Sequence, residues 1–308
     1  MQSDLPTMLE RIKAGQWALA DIDWDAPGAE LVTQNEELYP KLKAFMADLT
    51  WIEHIGARGF AAMALKAEDP VLKEIYTYFH AEEQRHANAE LALMQRWGML
   101  EGDELPIPNT NIRLAVEWLD RYADDQPLVV LGSVIPLLEV ALDGALCKFL
   151  LETVEDPLCH EVFAKINADE ARHLSVDFHV LDQLGYGSVP RMTIELIGRA
   201  VRPSLIIGSL VGIPLFNKMR DNIVEMGVKE ERLQYAIKRY IHMGRQGMGH
   251  RNPLFKVLSG FGLTLMDRSN TRYHKSADFL VKVSDRIPER MLPALPSWFK
   301  ELTWKTEV

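Results

Sequence analysis

Cysteine is scarce in this chain, and other features that define large classes of protein are missing as well. Two cysteines, Cys147 and Cys159, give no disulfide framework, so a reducing, cytoplasmic setting is expected. Glycine and proline are not enriched and no low-complexity tract occurs, so the composition is that of a folded protein. The N-terminal residues MQSDLPTML contain neither a basic region nor a long apolar stretch, and we expect no export signal.

Long apolar runs are missing too. No run reaches the roughly 18 residues that a membrane-spanning helix requires, so no transmembrane segment is predicted. The nearest candidate, residues 203–216, has 14 residues that include two glycines and two prolines. A buried helix is the favoured interpretation, and a segment at a membrane interface is the alternative. With 47% apolar residues among 308, the chain can bury a substantial core in one large domain or two modest ones.

The chain also lacks the overall positive charge of a nucleic-acid-binding protein. Its formal net charge is -10, and the charge is unevenly distributed. Residues 1–186 contain 14 Lys+Arg and 33 Asp+Glu, whereas residues 187–308 contain 20 and 11. The acidic part argues against nucleic acid as the main partner. The basic part is consistent with an anionic substrate, an acidic electron donor or an ordinary solvated surface.

Helix-forming sequence is what the chain has in abundance. Leu, Ala, Met, Glu, Lys and Arg dominate, and no alternating strand pattern occurs. The pattern predicts long helices at 38–66, 70–97, 127–154 and 157–184, a short one near 111–123, and further helices at 188–226, 229–245, 252–266 and 270–285. The first of these further helices is expected to break at Pro203 or Pro214. The proline-containing tail, 286–308, is expected to be extended and packed on the body.

The connections between the long helices predict their arrangement. The first two are joined by a short turn, the last two likewise, and residues 99–126 connect the pairs. Short, long and short connections are typical of a four-helix bundle with one crossover. We therefore predict an all-α fold with an N-terminal helix and lead-in at 1–37, a bundle at 38–185 and a helical C-terminal extension at 186–308 packed on the bundle.

A repeat underlies this bundle. The sequence Glu-x-x-His occurs twice, starting at Glu83 and at Glu170. Between residues 68–86 and 155–173, eight of 19 positions are identical without a gap. Both copies begin with Glu-Asp-Pro, a helix start signal, and each helix is followed by a glycine at the same offset. This joint match indicates one helix pair used twice rather than two unrelated amphipathic helices.

The repeat and the helices before it supply a ligand set for two metal ions. Residues three apart on a helix share a face, so each Glu-x-x-His can reach one point inside the bundle. In the helix before each motif, one further carboxylate, Glu53 or Glu139, interrupts the apolar stripe. The alternative to metal binding is that this acid is buried and paired with an arginine. Buried acids are costly alone, but two divalent cations neutralise four of them. Oxygen and imidazole together favour iron or manganese over zinc or calcium. The candidate ligands are Glu53, Glu83, His86, Glu139, Glu170 and His173.

These residues resemble the ligand pattern of the ferritin-like di-iron carboxylate proteins, over about residues 38–185. The resemblance implies that the six residues bind two iron ions, with manganese or a mixed Mn/Fe pair as alternatives, and that Glu83 and Glu170 bridge them. The run that starts at Asp169 resembles the Asp-Glu-x-Arg-His motif of the oxygen-activating branch, in which the Asp supports a ligand histidine. An additional histidine of the p-aminobenzoate N-oxygenases corresponds to Ile166 here, which argues against that subgroup.

Other residues are candidates for supporting roles, and each could instead lie at the bundle surface. These are Asp169, Glu82 (its counterpart in the first copy), Asp143, Glu90, Asp177, Arg85 and Arg172. Tyr76, two turns before Glu83, is a candidate for a tyrosyl radical, with a structural role as the alternative. The remaining histidines near the motifs, His80, His160 and His179, are interpreted as ordinary helix residues.

The sequence thus predicts a non-haem di-iron oxidoreductase. It would use O2 to oxidise a small, partly apolar organic substrate, by hydroxylation as in monooxygenases, by N-oxygenation or by desaturation. The apolar segment flanked by Arg202 and Lys218 could line a pocket with a cationic mouth, or be a plain packing helix. An electron donor such as a ferredoxin or reductase is expected, and a homodimer is common among such proteins. The alternatives are a ferroxidase or peroxidase without an organic substrate, and a non-catalytic helical metal-binding protein.

Overall fold

The described part of the chain is mostly helical, as the sequence pattern predicts. The computed structural model describes residues 4–102, 104–184, 203–246, 253–267 and 269–294, and no strand occurs among them. In chain order the helices are α1 Leu5–Ala14, α2 Ala29–Thr33, α3 Leu38–Lys66, α4 Pro70–Arg96, α5 Thr110–Tyr122, α6 Leu128–Thr153, α7 Pro157–Leu184, α8 Pro203–Glu225, α9 Glu230–Gln246, α10 Pro253–Met266 and α11 Thr271–Ser284. Short 3-10 turns occur at Leu19–Asp21, Ala123–Asp125 and Glu289–Met291. The all-α prediction is confirmed.

Four long helices form the bundle that carries the candidate site. Helices α3 and α4 pack along their length, as do α6 and α7, and contacts of α3 with α6 and of α4 with α7 join the two pairs. The helices within each pair are separated by three residues, so they run antiparallel. Helix α5 lies in the long connection between the pairs and packs on α3. This is the predicted bundle with one crossover.

The repeated start signals work as the sequence indicates. The Asp69 side chain accepts hydrogen bonds from the backbone N–H groups of Val71 and Leu72, and Asp156 accepts one from Leu158. Proline follows each aspartate at the first helical position, where its missing N–H costs nothing. Helix α4 ends before Gly98, whose φ of 65° is a conformation that favours glycine. Gly185, its counterpart, lies outside the described residues.

The remaining helices pack on the bundle or on one another. Helix α1 packs on α4 and α7, whereas α8 packs on α5 and α11, and α9 and α10 pack on α6. Helix α8 continues through Pro214, so the break expected there does not occur, and the residues before Pro203 lie outside the described ones. Of the tail, residues 286–294 are described, and they include one 3-10 turn; Arg113 donates to the backbone carbonyl of Pro293 at 2.6 Å, which ties this part to α5.

The predicted absence of a spanning segment can be checked for the described residues. Among them, no helix combines the length and the apolar character that crossing a bilayer requires.

Candidate metal centre

Six acidic and histidine side chains converge inside the bundle, one or two from each helix. Glu53 lies on α3 and Glu139 on α6, while the two Glu-x-x-His motifs lie on α4 and α7. None of the six is more than 6% exposed. The structure therefore brings together every residue of the candidate ligand set.

The six residues form two overlapping groups. Ligand atoms of Glu53, Glu83, His86 and Glu170 lie within 4.8 Å of one another, and so do those of Glu83, Glu139, Glu170 and His173. Glu83 and Glu170 belong to both groups. Their position between the groups is the geometry that bridging carboxylates require, and each group adds one further acid and one imidazole.

The inward-facing atoms of this cluster fit cations. Within the described residues, these buried atoms have no hydrogen-bond partner: Glu83 Oε1, His86 Nδ1, both carboxylate oxygens of Glu139 and of Glu170, and His173 Nδ1. His86 Nδ1 lies 3.0 Å from Glu170 Oε1 and 3.4 Å from Glu53 Oε2, without hydrogen-bond geometry. Buried polar atoms are rarely left unpaired. Convergent oxygens and ring nitrogens of this kind are the donors that iron and manganese bind in proteins.

Without cations, burial and mutual repulsion disfavour the ionised form of two of the four acids, Glu83 and Glu139. Burial raises the pKa of Glu83 well above its usual value, and the carboxylates of Glu170 and Glu53 raise it further. Burial also raises the pKa of Glu139, with Asp177 adding to the effect. Bound cations would remove this conflict, because they favour the ionised form of every acid.

The two histidines are oriented by acids from the opposite copy of the repeat. His86 Nε2 lies 2.9 Å from Asp169 Oδ2, and His173 Nε2 lies 2.8 Å from Glu82 Oε2. Because a carboxylate only accepts, we assign a proton to Nε2 of each ring, so that Nδ1, when it is deprotonated, directs its lone pair at the cluster. This is the tautomer that a metal ligand requires.

Two arginines neutralise these supporting acids. Arg85 donates to Asp169 Oδ2 at 3.2 Å, and Arg172 donates to Glu82 Oε1 at 3.2 Å and also to Asp169 Oδ1. Burial alone would raise the pKa of Asp169, but hydrogen bonds from His86 and Trp17 hold it well below its usual value. The acids therefore stay ionised and keep accepting from the histidines.

A segment outside the bundle completes this network, and sequence reasoning missed it. Gln16 donates to Glu82 and accepts from Arg85 at 2.9 Å. The Trp17 Nε1–H donates to Asp169 Oδ2 at 2.8 Å, and its ring stacks on that of His86 with centroids 6.5 Å apart. A Cβ on Gly15 would lie 2.8 Å from the Arg172 guanidinium carbon. These residues belong to neither copy of the repeat, so the repeat gave no signal for them.

Two further acids lie at matching positions of the repeat. Glu90 and Asp177, each one turn after a histidine, are at most 1% exposed, and no hydrogen bond to their carboxylate oxygens is formed within the described residues. Burial raises the pKa of Asp177 to about 7. Burial and the nearby Glu53 raise the pKa of Glu90 well above its usual value. Both are thus interior acids rather than surface residues.

Aromatic rings line the other side of the cluster. Phe79 and Phe60 pack against His173, with centroids 4.0 and 5.2 Å from that of the imidazole. Tyr76 stacks on Phe60 at 5.9 Å, and its hydroxyl has no hydrogen-bond partner among the described residues. Burial raises the pKa of Tyr76, and the carboxylates of Asp177 and Glu139 raise it further. Its ring is part of an aromatic cluster, and the radical role stays a prediction.

A glycine lets one shared acid approach α3. A Cβ on Gly56 would lie 2.1 Å from Glu83 Oε2 and 2.9 Å from its carboxyl carbon. Real Cβ contacts are longer than this, so any side chain here would displace the Glu83 carboxylate. Gly56 is on the same face of α3 as Glu53, which makes it part of the wall of the site.

Other candidates lie away from the cluster or outside the described side chains. His80 and His160 donate to backbone carbonyls, of Ala57 at 2.8 Å and of Val154 at 2.5 Å respectively. Ile166 is fully buried. Asp143 is on α6, but its side chain is among those that are not described.

Comparisons with known proteins give a likeness in structure but not in sequence. No protein-family model and no curated protein matches the chain. Solved structures of an R2-like ligand-binding oxidase do match, with each pairing covering 89% of this chain and 93% of the other. Two are substituted forms with an anaerobically reconstituted Mn/Fe cofactor, with TM-scores of 0.52 and 0.53 and identities of 15% and 16%. A third is a form with an aerobically reconstituted metal cofactor after photoconversion, with a TM-score of 0.52 and 15% identity. At such identities the likeness concerns the fold, and it confirms the ferritin-like architecture that the resemblance of the ligand pattern implies.

Proposed function

We propose that this chain is an O2-dependent oxidase or oxygenase with two iron ions, or one manganese and one iron, held by the six residues. The observation that carries the proposal is the pair of overlapping ligand groups that share Glu83 and Glu170. Two divalent cations would balance the charge of four carboxylates, and without them burial disfavours the ionised form of Glu83 and Glu139. When bound, such a pair of ions supplies electrons for the reduction of O2.

The protein's own side chains would bind the ions, orient the histidine rings and shield the site from water. The Nδ1 atoms of His86 and His173 and the carboxylates of Glu53 and Glu139 would each serve one ion, and the shared acids would serve both. Asp169 and Glu82 keep the histidine rings in place through the Nε2–H hydrogen bonds. Trp17, Phe60 and Phe79 surround the imidazoles and limit the access of water.

The proposed substrate is a small, partly apolar organic molecule. The structural relatives are named as ligand-binding oxidases, which supports an oxidase that binds an organic molecule. Their names also mention a Mn/Fe cofactor, which supports a pair of redox metals. The idea of a cationic pocket mouth gains no support from Lys218, because its ammonium lies 2.7 Å from Asp285. Arg202 is outside the described residues. Electrons would come from a donor such as a ferredoxin or a reductase, and a homodimer stays a prediction.

Metal titration tests the proposal. Metal-free protein is titrated anaerobically with Fe(II), or with Mn(II) and Fe(II) together, and bound metal is counted before the sample is exposed to O2. We expect about two ions per chain, as the two ligand groups require, and an O2-dependent change in optical absorption. Glu83→Ala and His173→Ala should lose metal and the spectral change. Glu74→Ala, also on α4 but half-exposed and paired with Lys13, is the matched control.

The outcomes distinguish the alternatives. Unchanged metal content in both ligand variants would remove the ligand assignment. Metal that is bound but inert to O2 would indicate a structural metal site. Rapid turnover of Fe(II) or peroxide, with no organic molecule recovered from the purified protein, would indicate a ferroxidase or peroxidase.

A further inference from the structure

Helix α11 presents an outward face that combines cations with exposed apolar side chains. We call this the α11 face; it consists of Arg272, Lys275, Ser276, Phe279, Lys282 and Val283. These positions recur at intervals of three and four, so they lie on one side of the helix. Phe279 is 65% exposed and Val283 47% exposed, and the three basic residues are exposed as well. Beyond the helix, Arg286, Arg290 and Met291 are exposed as well, together with Glu289, which pairs with Arg113.

The opposite side of α11 fixes the helix to the protein. His274, Ala277 and Ser284 are buried, and α11 packs on α8. Asn270 caps the start of the helix by accepting a hydrogen bond from the backbone N–H of Tyr273 at 3.3 Å. The buried side of α11 therefore anchors the helix to the rest of the protein, and the α11 face is exposed to solvent.

The charges on α11 are sorted by side. Its two nearby acids are engaged with α8: Asp278 accepts from Asn217 at 2.9 Å, and Asp285 pairs with Lys218 at 2.7 Å. In the described part of the chain, Arg272, Lys275 and Lys282 form no ion pair with an acid. Among the described residues, the α11 face thus has three unpaired cations, and the acid that borders it, Asp285, is neutralised by Lys218.

We propose that the α11 face docks on an anionic phospholipid surface. Helices that lie on membranes have cations around a few large apolar side chains, since the cations attract lipid phosphates while the apolar groups enter the boundary layer. The apolar groups here, Phe279 and Val283, stand among cations rather than forming the wide apolar patch of a protein interface. The occupant is chosen on charge complementarity, and an acidic protein partner is an outcome of the test. The proposal does not depend on the metal centre.

Vesicle co-sedimentation tests the docking, with the full chain in metal-free and metal-loaded form. One set of vesicles contains phosphatidylcholine and phosphatidylglycerol, and the other contains phosphatidylcholine alone. We expect binding to the anionic set only, weakened by salt. Each removed cation should lower the partition coefficient about fivefold, so Lys275→Gln/Lys282→Gln should lower it roughly 20-fold or more. Phe279→Ser should also weaken binding, but without changing its dependence on salt.

The control removes the same number of cations from another helix. Lys238 and Arg239 on α9 are exposed, and Lys238→Gln/Arg239→Gln should leave binding within about twofold of the parent. Equal losses in the α9 and α11 variants would show diffuse attraction and overturn the assignment to the α11 face. Absence of binding to anionic vesicles would overturn the docking itself, and binding of an acidic ferredoxin that the α11 variants abolish would assign the face to a protein. Unchanged helicity and metal content in each variant show that folding is intact.

Discussion

The two halves of the candidate metal centre are built from the same repeat but have different surroundings. Five positions correspond at an offset of 87 residues: Glu82 and Asp169, Glu83 and Glu170, Arg85 and Arg172, His86 and His173, and Glu90 and Asp177. Around these positions the halves differ. His86 is stacked by Trp17 from the N-terminal segment, whereas His173 packs against Phe60 and Phe79 of α3 and α4.

The difference shows which parts of a site a repeat can fix. Residues within the repeat set the ligands and the crossed hydrogen bonds, because each copy supplies the acid for the other copy's histidine. Segments outside the repeat set what surrounds each imidazole. The halves should therefore lose metal together when an acid that belongs to both ligand groups changes, and separately when a residue that supports one histidine changes.

The largest effect is expected from the acids shared by both halves. Glu170→Ala should abolish binding of both ions, because Glu170 belongs to both ligand groups. Glu53→Ala and Glu139→Ala should each leave one ion bound, because each belongs to a single group. Metal content after anaerobic loading measures the difference. Retention of two ions by Glu170→Ala would contradict the shared position.

A side chain at Gly56, which lies outside the repeat, should displace the shared acid Glu83. Gly56→Val must displace the Glu83 carboxylate, since even a Cβ would lie 2.1 Å from its Oε2. We expect loss of at least one ion at stoichiometric loading. In Gly59→Ala, the control on the same helix, the added Cβ meets the flexible end of Ile135 rather than a ligand, and metal content should stay that of the parent. Full metal content in Gly56→Val would show that Glu83 is not needed where it lies.

The supporting acids should act on separate ions. Asp169→Asn and Glu82→Gln each remove the charge that orients one histidine, and loss of such support lowers metal affinity about 10- to 100-fold. The expected result is one weakened ion in each variant, by anaerobic titration. The double variant should weaken both ions. Equal weakening of both ions by each single variant would mean that the halves are coupled through the arginines.

The buried acid Asp177 should make a contribution to the stability of the metal-free protein that is lost as the pH rises to neutral. Burial raises the pKa of Asp177 from 3.8 to about 7, so the unfolded chain loses its proton first, and the free energy of unfolding falls as pH rises between these values. Asp177→Asn should raise the melting temperature of metal-free protein at pH values above about 7 and have little effect near pH 4. Glu90→Gln should do the same in the other half. A gain that is equal at all pH values would point to packing instead.

The smallest effect is expected at the N-terminal segment. Trp17→Phe keeps a ring against His86 but removes the hydrogen bond to Asp169, which is worth about 1 kcal/mol. We expect a several-fold weaker ion on the His86 side and an unchanged ion on the His173 side, measured by titration. Trp24→Phe removes a hydrogen bond to the Leu19 carbonyl, away from the site, and serves as the control. An equal effect of both variants on metal affinity would show a general loss of stability.

Much of the fold follows from local sequence. The bounds of α3, α4, α6 and α7 lie within a residue or two of the predicted ones, because Asp-Pro start signals and long apolar periodicity act locally. The helical character of the C-terminal region was predicted for the same reason. How α8 to α11 pack on the body could not be predicted, because amphipathic faces do not specify their partners.

Most of the candidate site could also be predicted from the sequence, since Glu53, Glu139 and the two motifs stand out as charges in apolar stripes. The roles of Gly15, Gln16 and Trp17 could not be predicted, because nothing in the local sequence shows that residues after the end of α1 lie next to Asp169 or Glu82. The sequence also could not show that each supporting acid contacts the histidine of the other copy, since this depends on α4 and α7 facing each other.

By itself, the sequence determined that this protein is helical and that four acids and two histidines share the inner faces of four helices, because periodicity and spacing are properties of the chain. Only the tertiary structure decided which oxygens meet which nitrogens, which acids stay ionised and which segment covers each histidine. Those outcomes depend on distances of a few ångströms between residues far apart in the chain, and on the loss of water around them.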